Sequence, residues 1–255
     1  MSMDEAMRLF GLKAIVTGAA NGIGEAIART FVKHGAQVLS VDSPDSGIET
    51  LFSAVRGITG FAADLTRPES TVNIVDAVSS KLGRLDILVN NYAVQSDSPI
   101  SDGDDEALKD LLDKKMAVMS KLCEAALPLL KKSPAGRIIN IGFIRSSFTR
   151  EGNGAYASSQ SALAEFTKFL AATCGEFGIT ANYVQPGAIM TPDSRAVFNK
   201  DTALRDYCIK RSAARRLGEP VDVAKVALFL ATDDSVFVSG TGIVVDGGEA
   251  DASGT

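Results

Sequence analysis

Tryptophan is missing from this 255-residue chain, histidine occurs once and cysteine three times. Each scarcity removes a class of chemistry. Zinc centres need His and Cys clustered at short spacing, and no such cluster exists, so no metal is expected. A Ser-His-Asp or Cys-His hydrolase would have to route every proton through His34. That residue precedes Gly35 at the end of a helical stretch, where closing the helix is its expected task. Cys123, Cys174 and Cys208 are odd in number and far apart, which suits free thiols in a reducing cytosol. No apolar run approaches the ~20 residues needed to span a bilayer. Residues 1–10 carry Asp4, Glu5 and Arg8, unlike a signal peptide. Positive charge is not in excess either. There are 26 basic against 31 acidic side chains, a net −5, which argues against a nucleic-acid or anionic-membrane partner. The expectation is a cytoplasmic protein that handles a small molecule.

What the chain does have is alternation. Short β-branched runs lie at Lys13–Thr17, Gln37–Val41, Ile58–Ala62, Ile87–Asn90, Arg137–Ile141, Thr180–Val184 and Gly242–Val245. Several are continuous apolar runs, as parallel strands buried on both faces require. Helical patterns separate them at Gly22–Lys33, Glu69–Leu82, Ala107–Leu130, Ala155–Phe177 and Val221–Ala231. The order predicts an α/β fold, a doubly wound open parallel sheet with helices on both faces. No linker, repeat or low-complexity segment interrupts it, so residues 1–255 read as one domain.

The first strand ends in Thr17-Gly18-Ala19-Ala20-Asn21-Gly22-Ile23-Gly24, and a helix follows. Glycines there permit a tight turn, close approach of backbone to a pyrophosphate and close helix–strand packing. The helix N-terminus then offers N–H groups to the anion. Asp42 closes the second strand. A carboxylate there accepts hydrogen bonds from an adenosine ribose and repels a 2′-phosphate. Asp45 adds negative charge, and position 21 is Asn rather than Lys or Arg. NAD(H) is therefore expected over NADP(H).

This glycine spacing resembles the short-chain dehydrogenase/reductase family, and further matches follow in order over roughly residues 10–250. Asp64-Leu65 looks like the family's adenine-contacting pair. Leu88-Val89-Asn90-Asn91 looks like the start of its LVNNAG segment. Asn182 with Pro186-Gly187-Ala188-Ile189-Met190-Thr191 resembles the segment that holds the nicotinamide end. Arg216–Pro220, Val226–Ala231 and Val245–Gly248 resemble its C-terminal signature. The resemblance implies a single Rossmann-like domain with a seven-stranded parallel sheet, a substrate lid at about 188–216 and a homotetramer, or failing that a homodimer. The implied cofactor residues are Gly18, Asn21, Gly22, Ile23, Gly24, Asp42, Asp64, Leu65, Asn91, Tyr156, Gln160, Pro186, Gly187, Ile189 and Thr191.

The catalytic positions depart from that pattern. The family works with an Asn, a Ser, a Tyr and a Lys. Tyr156 is kept, but the Lys of its YxxxK pair is Gln160, the Ser position is Phe143 and the Asn position is Lys115. Tyr92 and Ala93 stand where LVNNAG has Ala and Gly. A free tyrosine has a pKa near ~10 and needs a neighbouring cation to act as a base. Gln160 supplies none, and Phe143 has no hydroxyl to polarise a carbonyl. A transposition restores the logic: the cation moves from position 160 to Lys115 and still serves Tyr156. The opposing expectation is that Lys115, beside Lys114, points to solvent.

The reading is thus an atypical NAD(H)-dependent oxidoreductase of a carbonyl or alcohol substrate, with Tyr156, Lys115, Phe143 and Gln160 at its centre. Two alternatives stay open: a lyase, dehydratase or isomerase using the same pocket, or an inactive nucleotide-sensing or scaffolding subunit. Residues 193–216 carry seven basic and three acidic side chains, and Arg145 and Arg150 lie nearby. That excess suits an anionic substrate or, more simply, a solvated helix.

Overall fold

The computed structural model describes residues 7–92, 105–142 and 154–249, with the backbone alone for 105, 107, 108, 154–157 and 159. Its strands are β1 (Lys13–Thr17), β2 (Gln37–Asp42), β3 (Ile58–Ala62), β4 (Ile87–Asn90), β5 (Arg137–Ile141), β6 (Thr180–Pro186) and β7 (Gly242–Val245). They form one seven-stranded sheet in the order β3-β2-β1-β4-β5-β6-β7. Every pairing is parallel. The helices are α1 (Gly22–Lys33), α2 (Ile48–Leu51), α3 (Ser70–Leu82), α4 (Asp105–Leu130), α5 (Gly154–Cys174), α6 (Pro192–Lys200), α7 (Thr202–Arg211) and α8 (Pro220–Ala231). The Rossmann-like α/β reading holds.

Two apolar layers cover the sheet, and strand alternation assigns residues to them. Val16, Val89 and Ile139 face α1 and α8, where Ile27, Phe31, Val223 and Ala227 meet them. Ile15, Leu88 and Ile138 face the other way, onto Ile74, Leu122 and Leu170 of α3, α4 and α5. Fully burying one such Leu, Ile or Phe side chain contributes roughly 1.5–3 kcal/mol, so this double layer fixes the strand register.

Chain order reverses between β1 and β4. At such a switch point the connections leave in opposite directions and open a crevice at the carboxyl ends of the strands. The opposite edge of the sheet is closed. There Asp86, fully buried, accepts hydrogen bonds from Lys13 N at 2.8 Å, Arg84 Nε at 2.9 Å and Ser133 Oγ at 2.6 Å. It ties the starts of β1, β4 and β5 together.

Several boundaries differ from the sequence expectation. β2 runs on to Asp42 and β6 to Pro186, which suits a proline because it ends the strand. α5 stops at Cys174, and a 3₁₀ turn, Gly175–Phe177, finishes the segment. α6 and α7 occupy the expected lid and were not anticipated as separate helices. Their caps explain them. Thr191 and Ser194 form a capping box at the start of α6, and Asp201 Oδ1 accepts from Leu204 N at 2.8 Å at the start of α7. His34 closes α1, as expected, and its burial holds its pKa below the ordinary value.

Candidate active site

The glycine turn leaves β1 and enters α1 directly beneath the switch point. Gly18 and Gly22 both have positive φ, 62° and 55°, which glycine adopts without strain. Space is as strict as torsion. A Cβ at Gly24 would lie 1.9 Å from the Gly18 carbonyl oxygen, and one at Gly18 would lie 2.9 Å from the Tyr92 Cα. The turn is thus pressed between its own helix and the segment after β4. Among the described residues no side chain caps α1, which leaves its first N–H groups facing the crevice.

Thr17, 1% exposed, fastens that segment. Its Oγ1 accepts from the backbone N–H of Asn91 and of Tyr92, both at 3.0 Å. Asn91 Nδ2 donates to the carbonyls of Thr17 at 3.1 Å and Gly18 at 2.9 Å. The Asn91 side chain therefore shapes the turn rather than facing the crevice. Beneath it a buried relay crosses the sheet. Asn90 Nδ2 donates to Asn140 Oδ1 at 2.8 Å, and Asn140 Nδ2 donates to Thr167 Oγ1 at 3.0 Å.

Asp42 stands at the end of β2. Its Oδ2 accepts from Ala20 N at 2.8 Å and its Oδ1 from Ser43 N at 2.7 Å. One carboxylate thus joins the second strand to the glycine turn and keeps lone pairs for a further donor. Asp64, beyond β3, accepts from Thr66 and Arg67, and the Thr66 hydroxyl bond leads the effects that hold its carboxyl below the usual range. Leu65, by contrast, is 3% exposed and packs in the core, so its side chain lies away from the crevice. Ile23 is likewise a core residue.

On the other flank, Thr191 packs its methyl on Gly22, where a Cβ would lie 3.2 Å from Cγ2, while its hydroxyl caps α6. Gly187 lies against Asp246, and Ile189 bridges to Gly218, with Met190 N donating to the Gly218 carbonyl at 2.8 Å. These contacts draw the Pro186–Thr191, Arg216–Pro220 and Val245–Gly248 segments to the same end of the sheet as the glycine turn. Asn182 is structural: its amide bonds Val238 O at 2.8 Å and Thr241 N at 3.2 Å, setting β7 in place.

The two neighbouring lysines of α4 part company. Lys114 is exposed and paired with Asp110 at 2.6 Å. Lys115 is 6% exposed and lines a small cavity with Thr17, Asn90, Tyr92, Val118, Met119 and Leu122. The expectation of a solvent-facing Lys115 is therefore corrected. The cause is helix phase: Leu112, Lys115, Met119 and Leu122 follow one another at steps of three or four on the buried face. Burial lowers the Lys115 pKa to about 8. Gln160, on α5, has its Oε1 and Nε2 both buried with no hydrogen-bond partner among the described residues. Phe143, Arg145, Arg150 and the Tyr156 side chain lie outside the described residues. Tyr156 and Gln160 are one turn apart on α5.

All three cysteines are free thiols; Cys123 and Cys174 are buried, and burial pushes the Cys123 thiol up to about 12. Three of the seven lid cations have carboxylate partners: Arg205 pairs with Asp206, Arg211 with Glu249 and Arg216 with Asp222.

Comparison with known proteins agrees with this geometry. A family model described as enoyl-(acyl carrier protein) reductase matches residues 18–249. The chain is 32% identical over 243 residues to the 3-oxoacyl-[acyl-carrier-protein] reductase FabG of Vibrio cholerae, covering 95% of this chain and 98% of that one. It is 33% identical over 252 residues to the oxidoreductase UcpA of Escherichia coli K12, covering 94% and 95%. A short-chain dehydrogenase/reductase from Brucella melitensis, described as a glucose/ribitol dehydrogenase, superposes with a TM-score of 0.83 over 96% of this chain at 24% identity. The chain belongs to the short-chain dehydrogenase/reductase family, whose members work with a nicotinamide cofactor. Among the described residues no helix is long and apolar enough to cross a membrane, and no His/Cys/Asp/Glu group suits a metal.

Proposed function

We propose that this protein is an NAD(H)-dependent oxidoreductase of a carbonyl or alcohol substrate, in which Lys115 supplies the cation that the family draws from the position of Gln160. The burial of Lys115 on the cavity-lining face of α4 carries this reading. A solvated lysine would have no bearing on Tyr156, whereas a buried one raises the local potential. At an effective dielectric of ~20, a unit charge 4 Å away is worth about 4 kcal/mol, and part of that suffices to pull a tyrosine well below ~10.

The residues present fit the cofactor. The glycine turn leaves little room for Cβ atoms, and among the described residues α1 has no side-chain cap and the Gln160 carboxamide has no partners, leaving donors and acceptors suited to a ribose. The nicotinamide, when bound, supplies hydride exchange with the substrate carbon. In this reading Gly18, Asn21, Gly22 and Gly24 hold the pyrophosphate, Asp42 the adenosine ribose, Gln160 the nicotinamide ribose, and the Pro186–Thr191 segment the nicotinamide. Tyr156 exchanges the proton, and Phe143 brings no hydroxyl to the sequence position where the family has one. An anionic substrate is not part of the reading, because three of the seven lid cations already have carboxylate partners. A cytoplasmic homotetramer or homodimer is. The edge strand β7 exposes Val244, and the turn after α8 exposes Val236 and Phe237, the latter fully.

Fluorescence titration tests the cofactor assignment. NADH is expected to bind at least about tenfold more tightly than NADPH, or about 1.4 kcal/mol. Equal affinity or a preference for NADPH would refute it. Lys115→Met is expected to leave NADH affinity little changed while raising the Tyr156 pKa, read by ultraviolet difference titration. An unmoved tyrosine titration would refute the transposition.

A further inference from the structure

Gln185 is the penultimate residue of β6, at the carboxyl end of the sheet. Strand alternation sets its face. Val184 packs with α1 and α8, Ala181 packs with α3, α4 and α5, and Gln185 is in phase with Ala181. On the neighbouring chain the same alternation turns Asn140 and Gly142 toward α5, where Asn140 bonds Thr167. Gly142 N donates to the Val184 carbonyl at 2.8 Å, so the two strand ends are fastened together. A Cβ at Gly142 would lie 2.5 Å from Gln185 Oε1 and 3.2 Å from its Cδ. The carboxamide thus lies across Gly142, in space that a side chain at 142 would claim, and its Oε1 is buried. The next residue along the chain is Phe143, at the position from which the family draws a hydroxyl. The helix this face meets, α5, is the one that carries Tyr156 and Gln160.

We infer that Gln185 is a further catalytic residue, its amide N–H donating a hydrogen bond to the substrate oxygen in place of the hydroxyl that position 143 lacks. The inference rests on the oxidoreductase reading above and deepens it. A carboxamide carries two N–H donors, and from β6 this one reaches the end of β5, one residue from the lost hydroxyl. In the reductive direction the carbonyl carbon gains hydride, Tyr156 passes its phenolic proton to the oxygen, and the π pair of the C=O bond becomes the new O–H bond. The amide N–H stabilises the charge that grows on that oxygen and is not itself transferred. A neutral donor also suits a site that already buries the Lys115 side chain, because it brings no second charge to be desolvated.

The experiment uses the full chain, NADH and two unreactive amides, isobutyramide and benzamide, whose carbonyl oxygens stand in for that of a substrate. Their binding to the protein–NADH complex is read from NADH fluorescence. Gln185→Leu is expected to weaken both amides about tenfold and to leave NADH affinity unchanged. Gln185→Glu keeps the shape but at pH 8 only accepts hydrogen bonds, so it is expected to lose as much. Gly142→Ala displaces the end of a flexible side chain, so it is expected to melt close to the wild type and yet to weaken both amides. Thermal melting of each variant confirms that the fold persists, and should Gln185→Leu fail to fold, Gln185→Met takes its place. Unchanged amide binding by Gln185→Leu or Gly142→Ala, or full binding by Gln185→Glu, would overturn the inference. Equal loss of NADH and the amides would overturn it too, since it would report a structural role. If the wild-type protein holds NADH but neither amide, the inference fails while the cofactor reading stands. If NADH itself does not bind, both fail.

Discussion

The two ends of the same sheet treat buried polar groups in opposite ways. At the amino ends, Asp86 is fully buried and accepts three hydrogen bonds from three separate segments. At the carboxyl ends, Lys115 is buried with its pKa lowered to about 8, and both amide atoms of Gln160 lack partners among the described residues. Burying the Gln160 amide without partners among the described residues and desolvating the Lys115 ammonium both cost free energy, so the second arrangement is unfavourable for folding alone. The difference separates a device that holds strands together from one poised toward something else. Arg137 qualifies the contrast, because this amino-end residue keeps one unbonded Nε atom.

The largest expected effect lies at the closed end. Asp86→Ala strands the Lys13 N–H and the Ser133 hydroxyl and leaves Arg84 without its carboxylate. It should destabilise the protein by about 3 kcal/mol in urea unfolding. A loss under 1 kcal/mol would break the comparison.

Next comes Lys115, with the opposite sign. Its folded pKa lies below the unfolded value, so between pH about 8 and 10.5 the unfolded chain binds the extra proton. Stability therefore rises with pH across that window, and the cost is fully present below it. The shift from 10.5 to about 8 bounds that cost at roughly 3 kcal/mol. Lys115→Met should stabilise the protein by about 1–3 kcal/mol at pH 7, with the gain shrinking toward pH 10. Unfolding curves at the two pH values check both the sign and the slope.

The smallest effect sharpens the same point. Gln160→Leu removes an unsatisfied carboxamide and should be neutral or stabilising by about 1 kcal/mol without ligand. The same variant should show a smaller rise in melting temperature on adding NADH than the wild type does, read by thermal shift with and without NADH. A clear destabilisation in the absence of ligand would mean that Gln160 is a structural residue.

How far these features were legible depends on the period of the signal. Strands β1, β4 and β5 announce themselves as apolar runs, because both faces are covered. The glycine turn and Asp42 were legible as well, since their chemistry is local to a few residues. α6 and α7 were missed because neither carries an apolar stripe, although Thr191 and Asp201 signal their caps. Lys115 was the hardest. A Lys-Lys pair reads as solvated surface, and only its phase with Leu112, Met119 and Leu122 marks it as buried. Gln160 follows the same rule, being in phase with Leu163, Thr167 and Leu170. Leu65 and Asn91 show the converse limit. The family pattern marks their positions in the chain, but contact with the core and with the glycine turn decides what their side chains touch.

The threonine at the end of β1 has a consequence for time as well as for shape. Because Thr17 is sealed from water and holds the amides of Asn91 and Tyr92, those two protons are released only when β1 and β4 separate. Residues that follow a strand ordinarily fluctuate on the nanosecond to microsecond clock of loops. Here they are set to the slow clock of sheet opening. A ligand arriving at the crevice meets a backbone segment already in position, so little entropy is lost in arranging it.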